Sequence, residues 1–498
     1  MKVIVPIVLA FVAMAVMCAH TNLPWSDEAW FASPAINLIA QGTFGTSVLD
    51  PTASFRSNNL TGIHEHTYWI TPLFPLAEAA WFRAIGYGLM QARYLSILWG
   101  LVALWAWYRL LKILTGDERV AVLALGLMAV DFTVAWTSSV GRMDMMAAAL
   151  GGAGLAAFLM LRESNFTRAV LVSQSLVVAA GLTHPMAAGY ACGLLALTLY
   201  SDWKRIRPRH ILVAAVPYVV GAVGWGLYIL QAPHDFMLQF GGNAAARGLP
   251  ITDPLAIIHS QLAVRFLYMF GMAPDTRGFS HIKILVLAAY AAGVLGVVLN
   301  RELRGHKGIR SLLLVAGVTL LVMIALDREA QHHYLIHFVL WMASLTAVAG
   351  VWWWERRSAP RWMLVAGLVV VVMVQAATTG RRISQRAYST IYLATTDYLK
   401  QHAQGKGTIM GSAELAFELG YVDRLVDDPR LGFRSGKRPD FIVIDRNRYA
   451  EWIPQYEQRE PETYRYIRTM MDRGFHEVLA NGGYRVYARQ DRPRGLSY

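Results

Sequence analysis

The sequence is poor in charge and almost free of cysteine. Only 16% of its 498 residues are charged, well below the quarter that is usual in water-soluble domains. Its two cysteines, Cys18 and Cys192, both lie in apolar runs, which excludes a disulfide framework and a cysteine-based metal site. What the chain has instead is 55% hydrophobic residues and a mean hydropathy of +0.36. This composition excludes disordered and collagen-like proteins and favours a membrane protein.

The charges divide the chain into two regions. From Arg381 to Tyr498 there are 20 basic and 15 acidic residues in 118, which is about 30% and is typical of a soluble domain. The first 380 residues are only about 12% charged, as expected for a membrane bundle. We therefore predict a mainly α polytopic membrane domain over 1–380 and a soluble α/β domain, the tail, over 381–498.

Eleven apolar runs in the first region are candidates for transmembrane helices, each needing about 20 apolar residues. They lie near residues 3–19, 93–111, 120–140, 145–161, 169–183, 185–200, 211–230, 284–299, 311–326, 335–354 and 362–379. Seventeen of the 46 basic residues cluster at alternate ends of successive runs, and such clusters mark cytoplasmic loops. The pattern predicts a plasma (inner) membrane protein with a cytoplasmic N-terminus and a periplasmic or extracellular tail. The net charge of +13 is then a topology signal, and no nucleic-acid partner is expected.

The tail predicts alternating strands and helices, and hence a mostly parallel sheet. It contains no Gly-x-Gly-x-x-Gly and no phosphate-binding loop, so a nucleotide site is not indicated. Its simplest role is to cover the outer face of the bundle, and binding of an acceptor is the alternative.

Adjacent carboxylates follow the first run, at Asp27 and Glu28. Capping of a helix that begins here explains them structurally, because acidic residues are favourable in a first turn. The functional alternative is a general base that takes a proton from an acceptor hydroxyl.

A second polar cluster lies in the long outer segment 21–91. Two histidines in His-x-His spacing are weak evidence for a metal, and hydrogen bonds to a phosphate or sugar are the preferred reading. The aromatic pair is also typical of a membrane-interface belt. The cluster comprises His64, Glu65, His66, Tyr68 and Trp69.

Ionisable residues also interrupt apolar runs at their outer ends, where they need a partner or a role. Arg142 and Asp144 either pair with each other or hold a phosphate and a sugar or acceptor. His184 precedes Pro185 and fits either a satisfied kink or a ligand contact. Further outer candidates are Arg247, Arg265 and Lys283 for phosphate, and the junction residues His332, His333 and Tyr334.

The order of these motifs resembles a known family. "DEAWFA", "HEHTYWITPLFPL", "MQARYLSILWG" and "GRMDMMAAAL" follow one another as in the C-type (GT-C) membrane glycosyltransferases. The likeness is greatest to the protein O-mannosyltransferase and aminoarabinose transferase-like group, whose bacterial members carry a domain like that of the Rhizobium galacturonosyltransferases. It covers about residues 1–380 in topology and 20–200 in motif.

The resemblance implies a GT-C fold and a polyprenyl-phosphate sugar as donor, with a glycan, lipid or protein as acceptor. It assigns Asp27 as the base or acceptor-orienting carboxylate, with Glu28 assisting, and it matches Asp144 to the family's second acidic position. Where the aminoarabinose transferases have Glu-Lys-Pro-Pro-Leu, this chain has Ile-Thr-Pro-Leu. The identities of the sugar and the acceptor therefore cannot be inferred from the family. His66 or Arg142 is expected to contact the phosphate.

The resulting hypothesis is an inverting transferase that uses a lipid-linked sugar. A nucleotide-sugar enzyme is disfavoured because the chain has no Asp-x-Asp. The alternatives are a transporter or flippase, which would line a path with charges, and a ligase or polymerase of whole glycans. No cofactor is predicted with certainty, and a divalent metal stays open.

Overall fold

The computed structural model describes residues 2–242, 253–274, 276–403, 407–421 and 424–490. Within these ranges the first 400 residues are almost entirely helical. The helices are α1 Ile4–Thr21, α2 Ser26–Gln41, α3 Pro51–Asn58, α4 Leu73–Ile85, α5 Leu89–Thr115, α6 Glu118–Val130, α7 Phe132–Ser138, α8 Met143–Leu161, α9 Phe166–Thr183, α10 Ala188–Asp202, α11 Pro208–Ile229, α12 Pro233–Phe236, α13 Pro254–His259 with a π-helical continuation Ser260–Met272, α14 Ile284–Leu299, α15 Arg301–Gly305, α16 Lys307–Leu326, α17 Ile336–Arg356 and α18 Arg361–Ser384.

Ten helices in the described ranges are long and apolar enough to cross a membrane, and the bent pair α6–α7 adds an eleventh. The protein is thus a multi-pass membrane protein, and its mainly α architecture is as predicted. The predicted run 185–200 corresponds to α10, which has only 15 residues. Short 3-10 turns, Pro185–Ala187 and Trp203–Arg205, lengthen it at either end.

The helix over 254–272 was not among the predicted spans. Three of its side chains bond the loop that follows α16: Ser260 to the Glu329 carbonyl, and Gln261 and Arg265 to the Asp327 carbonyl. This loop leads into His332 and His333, whose rings lie against Trp25 at the start of α2. The first part of the helix therefore lies at the same end of the bundle as Asp27, which we call the site end.

Helix α8 forms the centre of the bundle because small residues let its neighbours approach closely. A Cβ atom on Gly151 would lie 2.3 Å from the Tyr190 ring, and one on Gly152 would lie 2.8 Å from the Trp107 indole nitrogen. Arg142 precedes this helix and Asp144 lies in its first turn. The rigid centre of the bundle thereby positions both residues.

A buried aspartate stabilises the bend between α6 and α7. The two helices meet at 64°, and a break inside a membrane requires new partners for the freed backbone groups. One Asp131 oxygen accepts from the Thr133 and Val134 amides at 2.8 and 3.2 Å. The other accepts from Tyr290 at 2.8 Å and Gln375 at 2.6 Å, which ties the bend to α14 and α18.

The tail contains a five-stranded sheet in the order β2-β1-β3-β5-β4. Its strands are β1 Ile409–Met410, β2 Leu425–Val426, β3 Phe441–Asp445, β4 Phe475–Asn481 and β5 Tyr484–Arg489, and its helices are α19 Ala394–His402, α20 Ala416–Leu419, α21 Tyr449–Arg459 and α22 Pro461–Gly474. The α/β class is confirmed, but the expected mostly parallel sheet is wrong. Two pairs are parallel and two are antiparallel, because an Asn-Gly-Gly turn at 481–483 joins β4 and β5 as a hairpin.

No loop separates the tail from the bundle at the predicted boundary. Helix α18 runs through this boundary to Ser384. After a short break at Arg386, whose φ is +46°, a π-helical turn Tyr388–Leu393 and α19 follow. The tail also contacts the outer segment directly: Asp427 forms a parallel bridge with Leu49 beside β2, and Lys437 pairs with Asp50 at 2.8 Å. The division at 380/381 stays a prediction, since bundle and tail share both a helix and an extended sheet edge.

One buried carboxyl makes the tail sensitive to pH. Burial raises the pKa of Glu414 from an unfolded value near 4.5 to about 8, and the Asp445 charge acts in the same direction. The folded state therefore holds this proton between about pH 4.5 and 8 while the unfolded state releases it. Its contribution to stability is complete below pH 4.5 and is lost as the pH rises to 8.

We expect Glu414→Gln to remove this pH dependence, because the amide resembles the neutral acid at every pH. Thermal unfolding of the full-length protein at pH 5 and pH 8 measures it: the variant should gain midpoint temperature relative to the wild type at pH 8 only. Glu418→Gln, which changes a part-exposed carboxylate four residues further along the chain, is the control. Equal pH dependence in the wild type and Glu414→Gln would contradict the assignment.

Candidate functional site

Glu28 and Arg93 form a fully buried ion pair beneath the site. Two parallel bonds of 2.8 Å join the carboxylate to the guanidinium, and neither side chain is exposed. Glu28 also accepts from the amides of Trp25 at 3.0 Å and Gly141 at 2.8 Å. Its carboxylate thus caps the start of α2 and holds the loop before α8, so that both oxygens have partners within the protein.

Arg142 lies at the centre of the site, between two aspartates. Its Nη1 bonds Asp27 and its Nε donates to Asp144 at 2.9 Å. The guanidinium also lies 4.6 Å from the ring centroid of Trp25 and 5.2 Å from that of Phe31. Arg142 thus pairs with Asp144, which is one of the two alternatives that the sequence left open, and it also joins Asp144 to Asp27, 115 residues before Arg142. Contacts of Arg142 and Asp144 with a phosphate and a sugar or acceptor stay predictions.

Asp27 and Asp144 differ in their access to solvent. The Asp27 side chain is 17% exposed, whereas that of Asp144 is fully buried. Asp144 bonds Arg142 through Oδ2, and its Oδ1 has no hydrogen-bond partner among the described residues. Asp27 is thus the carboxylate that a ligand can reach. The buried Asp144 compensates the charge of Arg142 from the protein interior.

Three of the predicted histidines, His184, His332 and His333, lie around this centre. The His332 ring stacks on Trp25 with centroids 6.2 Å apart, and the His333 ring lies 5.2 Å from it. His184 caps the turn that starts at Pro185, with Nδ1 accepting from the Met186 amide at 3.0 Å, and its ring meets Tyr334 at 4.9 Å. His184 therefore caps this turn at a position beside the site, and its contact with a ligand stays a prediction.

A cavity of about 610 Å³ opens at Asp27 and Arg142, within the range of small-molecule sites. One wall comes from the bundle and the outer segment, and the other comes from the tail. The bundle wall includes Asp27, Trp30, Phe31, Trp69, Arg142, His333 and Tyr334, and the tail wall includes Asp427, Asp428, Arg430, Arg448 and Trp452.

The tail wall is held by a buried ion pair. Asp427 accepts from Arg448 at 2.6 Å and from the Trp30 indole at 2.9 Å, and it also accepts from Tyr449 at 2.9 Å. The Arg448 guanidinium lies 4.4 Å from the Trp30 ring and 4.8 Å from the Trp452 ring. Burial alone would lower the pKa of Arg448, but the charge of Asp427 and its hydrogen bond outweigh burial and hold that pKa above its ordinary value, so that the guanidinium stays charged.

The cluster at 64–69 is divided between two places. Trp69 stacks on Phe31 at 5.6 Å and lines the cavity, whereas Tyr68 is buried and donates to the Tyr228 carbonyl at 2.8 Å. Glu65 and His66 lie on a separate groove of about 810 Å³ lined by aliphatic residues of α4, α9 and α11. His64 is at the surface, 3.6 Å from Glu65.

The remaining predicted cations lie apart from the cavity. Arg265 is fully buried and pairs with Asp327 at 2.8 Å, which fastens α13 to the loop after α16. Lys283 donates to the Met269 carbonyl at 2.8 Å. Arg247 lies outside the described residues. Within the described ranges no three His, Cys, Asp or Glu side chains form a group suited to a metal ion, and we derive no step through one.

Sequence reasoning missed the residues that support the site. Arg93 carried a signal, as a charge inside an apolar run. His337 carried the same kind of signal, as an ionisable residue inside the apolar run near 335–354. In the structure its ring is buried and bonds Tyr190 at 3.1 Å. The tail residues Asp427, Arg448 and Trp452 carried none, because ordinary soluble domains contain such residues at any exposed position.

Comparison with known proteins gives matches in structure alone. No family model and no curated protein matches the sequence. ArnT from Cupriavidus metallidurans bound to undecaprenyl phosphate is similar with a TM-score of 0.58 and 16% identity, covering 99% of both chains. The apo oligosaccharyltransferase of Archaeoglobus fulgidus has a TM-score of 0.54 at 13% identity, covering 98% of this chain and 75% of that one.

A third structure is AglB from Archaeoglobus fulgidus in complex with an inhibitory peptide and a dolichol-phosphate. Its TM-score is 0.52 at 12% identity, covering 98% of this chain and 75% of that one. These likenesses extend through bundle and tail, and they confirm the predicted GT-C fold.

Proposed function

We propose that this protein is an inverting glycosyltransferase that moves a sugar from a polyprenyl phosphate to an acceptor hydroxyl at the extracytoplasmic face of the membrane. One observation carries the proposal: the partly exposed Asp27 bonds Arg142 at the mouth of an aromatic cavity. The carboxylate and the guanidinium are the two groups that the reaction needs. Solved proteins of the same fold contain undecaprenyl phosphate and dolichol-phosphate, which supports a lipid-phosphate donor.

The reaction follows from these groups. The acceptor oxygen forms a bond to the anomeric carbon from the face opposite the phosphate, which inverts that carbon. The bond from the carbon to the phosphate oxygen breaks, and its electron pair stays on the departing polyprenyl phosphate. Asp27 takes the acceptor's proton. The products are the glycosylated acceptor and the free polyprenyl phosphate.

Donor binding would also activate the base. Arg142 is paired with Asp27, and a phosphate would compete for the same guanidinium. The exchange frees the Asp27 carboxylate and places positive charge where the leaving group develops negative charge. Asp144 stays paired through Nε and keeps the guanidinium oriented, while His332 and His333 supply further donors beside Trp25.

A binding and turnover experiment tests the donor class. Purified protein is incubated with a panel of polyprenyl-phosphate sugars and with glycoside, alcohol and serine-peptide acceptors, and release of polyprenyl phosphate is followed by mass spectrometry. We expect release with at least one donor, and an inverted anomeric configuration by NMR. No release from any donor, together with movement of the intact lipid across liposomes, would instead establish a transporter.

Arg142→Gln tests the proposed phosphate contact. We expect its affinity for polyprenyl phosphate to fall by roughly 10- to 100-fold, because a charged hydrogen bond is lost. Arg301→Gln, an exposed arginine in α15, is the matched control and should bind as the wild type does. Unchanged affinity of Arg142→Gln would show that the phosphate binds elsewhere.

A further inference from the structure

The tail wall of the cavity contains an aromatic surface that the proposed transfer does not use. Trp452 is 37% exposed although it packs on Arg448, which is only 5% exposed. A large aromatic side chain that stays open beside a buried ion pair leaves its indole face available to a ligand. The Arg448 Nε is buried and has no acceptor among the described residues, so this wall also has an unused hydrogen-bond donor.

This surface is fixed in place before any ligand arrives. Arg448 contacts the rings of both Trp30 and Trp452, and Asp427 bonds both Arg448 and the Trp30 indole. One buried ion pair therefore holds two indoles from distant parts of the chain. A preorganised surface of this kind loses little entropy when a ligand binds to it.

The surface is also close to the proposed base. Trp30 follows Asp27 by three residues in α2, so their side chains are neighbours on one helix face, about 4.5 Å apart along the axis. A ligand on the indoles would thus present its edge towards Asp27. That is the position in which an acceptor hydroxyl is needed, whereas the donor phosphate belongs at Arg142.

We infer that Trp452 and Arg448 form the acceptor subsite and that the acceptor is a carbohydrate. A flat indole is covered well by the C–H face of a sugar ring, and its rim hydroxyls can reach the charged groups beside it. Arg448 lies on the tail wall, and its Nε, which has no acceptor among the described residues, supplies a donor there. The chain of an aliphatic alcohol would leave this charged rim unpaired. The inference rests on the proposed function, which supplies the donor half of the reaction.

The test is designed to separate the two hypotheses. Binding of octyl glycosides of several hexoses is measured without donor by saturation-transfer NMR, in the wild type and in Trp452→Ala. We expect binding to the wild type and its loss in the variant. Trp203→Ala, which removes a 68% exposed tryptophan beyond α10, should bind as the wild type does. Because no donor is present, this result stands even if polyprenyl phosphates prove not to be substrates.

Steady-state kinetics then show whether Trp452→Ala affects acceptor binding or the transfer step. We expect Trp452→Ala to raise the KM for the glycoside about tenfold, with kcat and the affinity for polyprenyl phosphate unchanged, and Trp452→Phe to recover most of the loss. A variant that merely misfolds would lose polyprenyl phosphate binding as well. Glycoside binding that is equal in Trp452→Ala and wild type would overturn the inference, as would transfer to serine peptides or decanol but to none of the glycosides.

Discussion

Asp27→Asn is expected to lower sugar transfer by roughly 10²- to 10⁴-fold, the usual contribution of a general base. The amide keeps the size of the side chain and can still accept from Arg142, but it cannot take the acceptor's proton. Binding of polyprenyl phosphate should therefore persist while kcat falls. The measurement is release of polyprenyl phosphate under saturating donor, alongside donor affinity in the same preparation.

Asp253→Asn is the matched control for this substitution. Asp253 is exposed and caps α13 through the Ala256 amide at 2.9 Å, and asparagine caps a helix about as well as aspartate. The control should keep full activity. Full activity of Asp27→Asn would show that Asp27 is not the base and that its role is limited to its bond with Arg142.

Arg93→Met is expected to lower the free energy of unfolding by about 3–5 kcal/mol, because it leaves the Glu28 charge buried and unpaired. Arg93 also donates to the carbonyls of Ala19 and Asn22. The one guanidinium thus joins the end of α1, the start of α2 and, through Glu28, the loop before Arg142. Thermal unfolding of the purified protein in detergent measures the loss.

The double variant Arg93→Met/Glu28→Gln separates charge from packing. Removal of both charges should recover a large part of the lost stability, since no unpaired ion then stays buried. Arg119→Met, in an exposed pair with Glu355 at the other end of the bundle, should change stability little. If Arg93→Met is as stable as Arg119→Met, the pair does not hold the site together.

The membrane part of this fold follows from its sequence because a bilayer imposes strict rules. Apolar runs, charge clusters at alternate ends and a charged residue at the end of a run each have few physical explanations. Asp27, Arg142, Asp144, His184 and the 332–334 junction were all chosen on that basis, and the structure brings them to one end of the bundle. Their catalytic and binding roles stay predictions.

The tail wall of the cavity could not be predicted in the same way. Its position depends on long-range contacts such as Asp427 with Leu49 and Trp30, which leave no periodicity in the sequence. The 64–69 cluster illustrates a different limit of prediction from sequence. Its residues are adjacent in sequence, but Trp69 and His66 line different cavities because the chain bends between α3 and α4. Proximity in sequence is thus a poor guide inside an irregular loop.

Because its two walls come from distant parts of the chain, the cavity is completed only late in synthesis. Asp27 emerges early, yet the residues that complete its surroundings, Asp427 to Trp452, are made 400 to 425 positions later. A ribosome-bound chain therefore carries an open Asp27–Arg142 centre until the tail has been made and has folded. A protein truncated before Asp427 would insert its bundle without ever enclosing that centre, and so premature termination should yield an inert membrane protein.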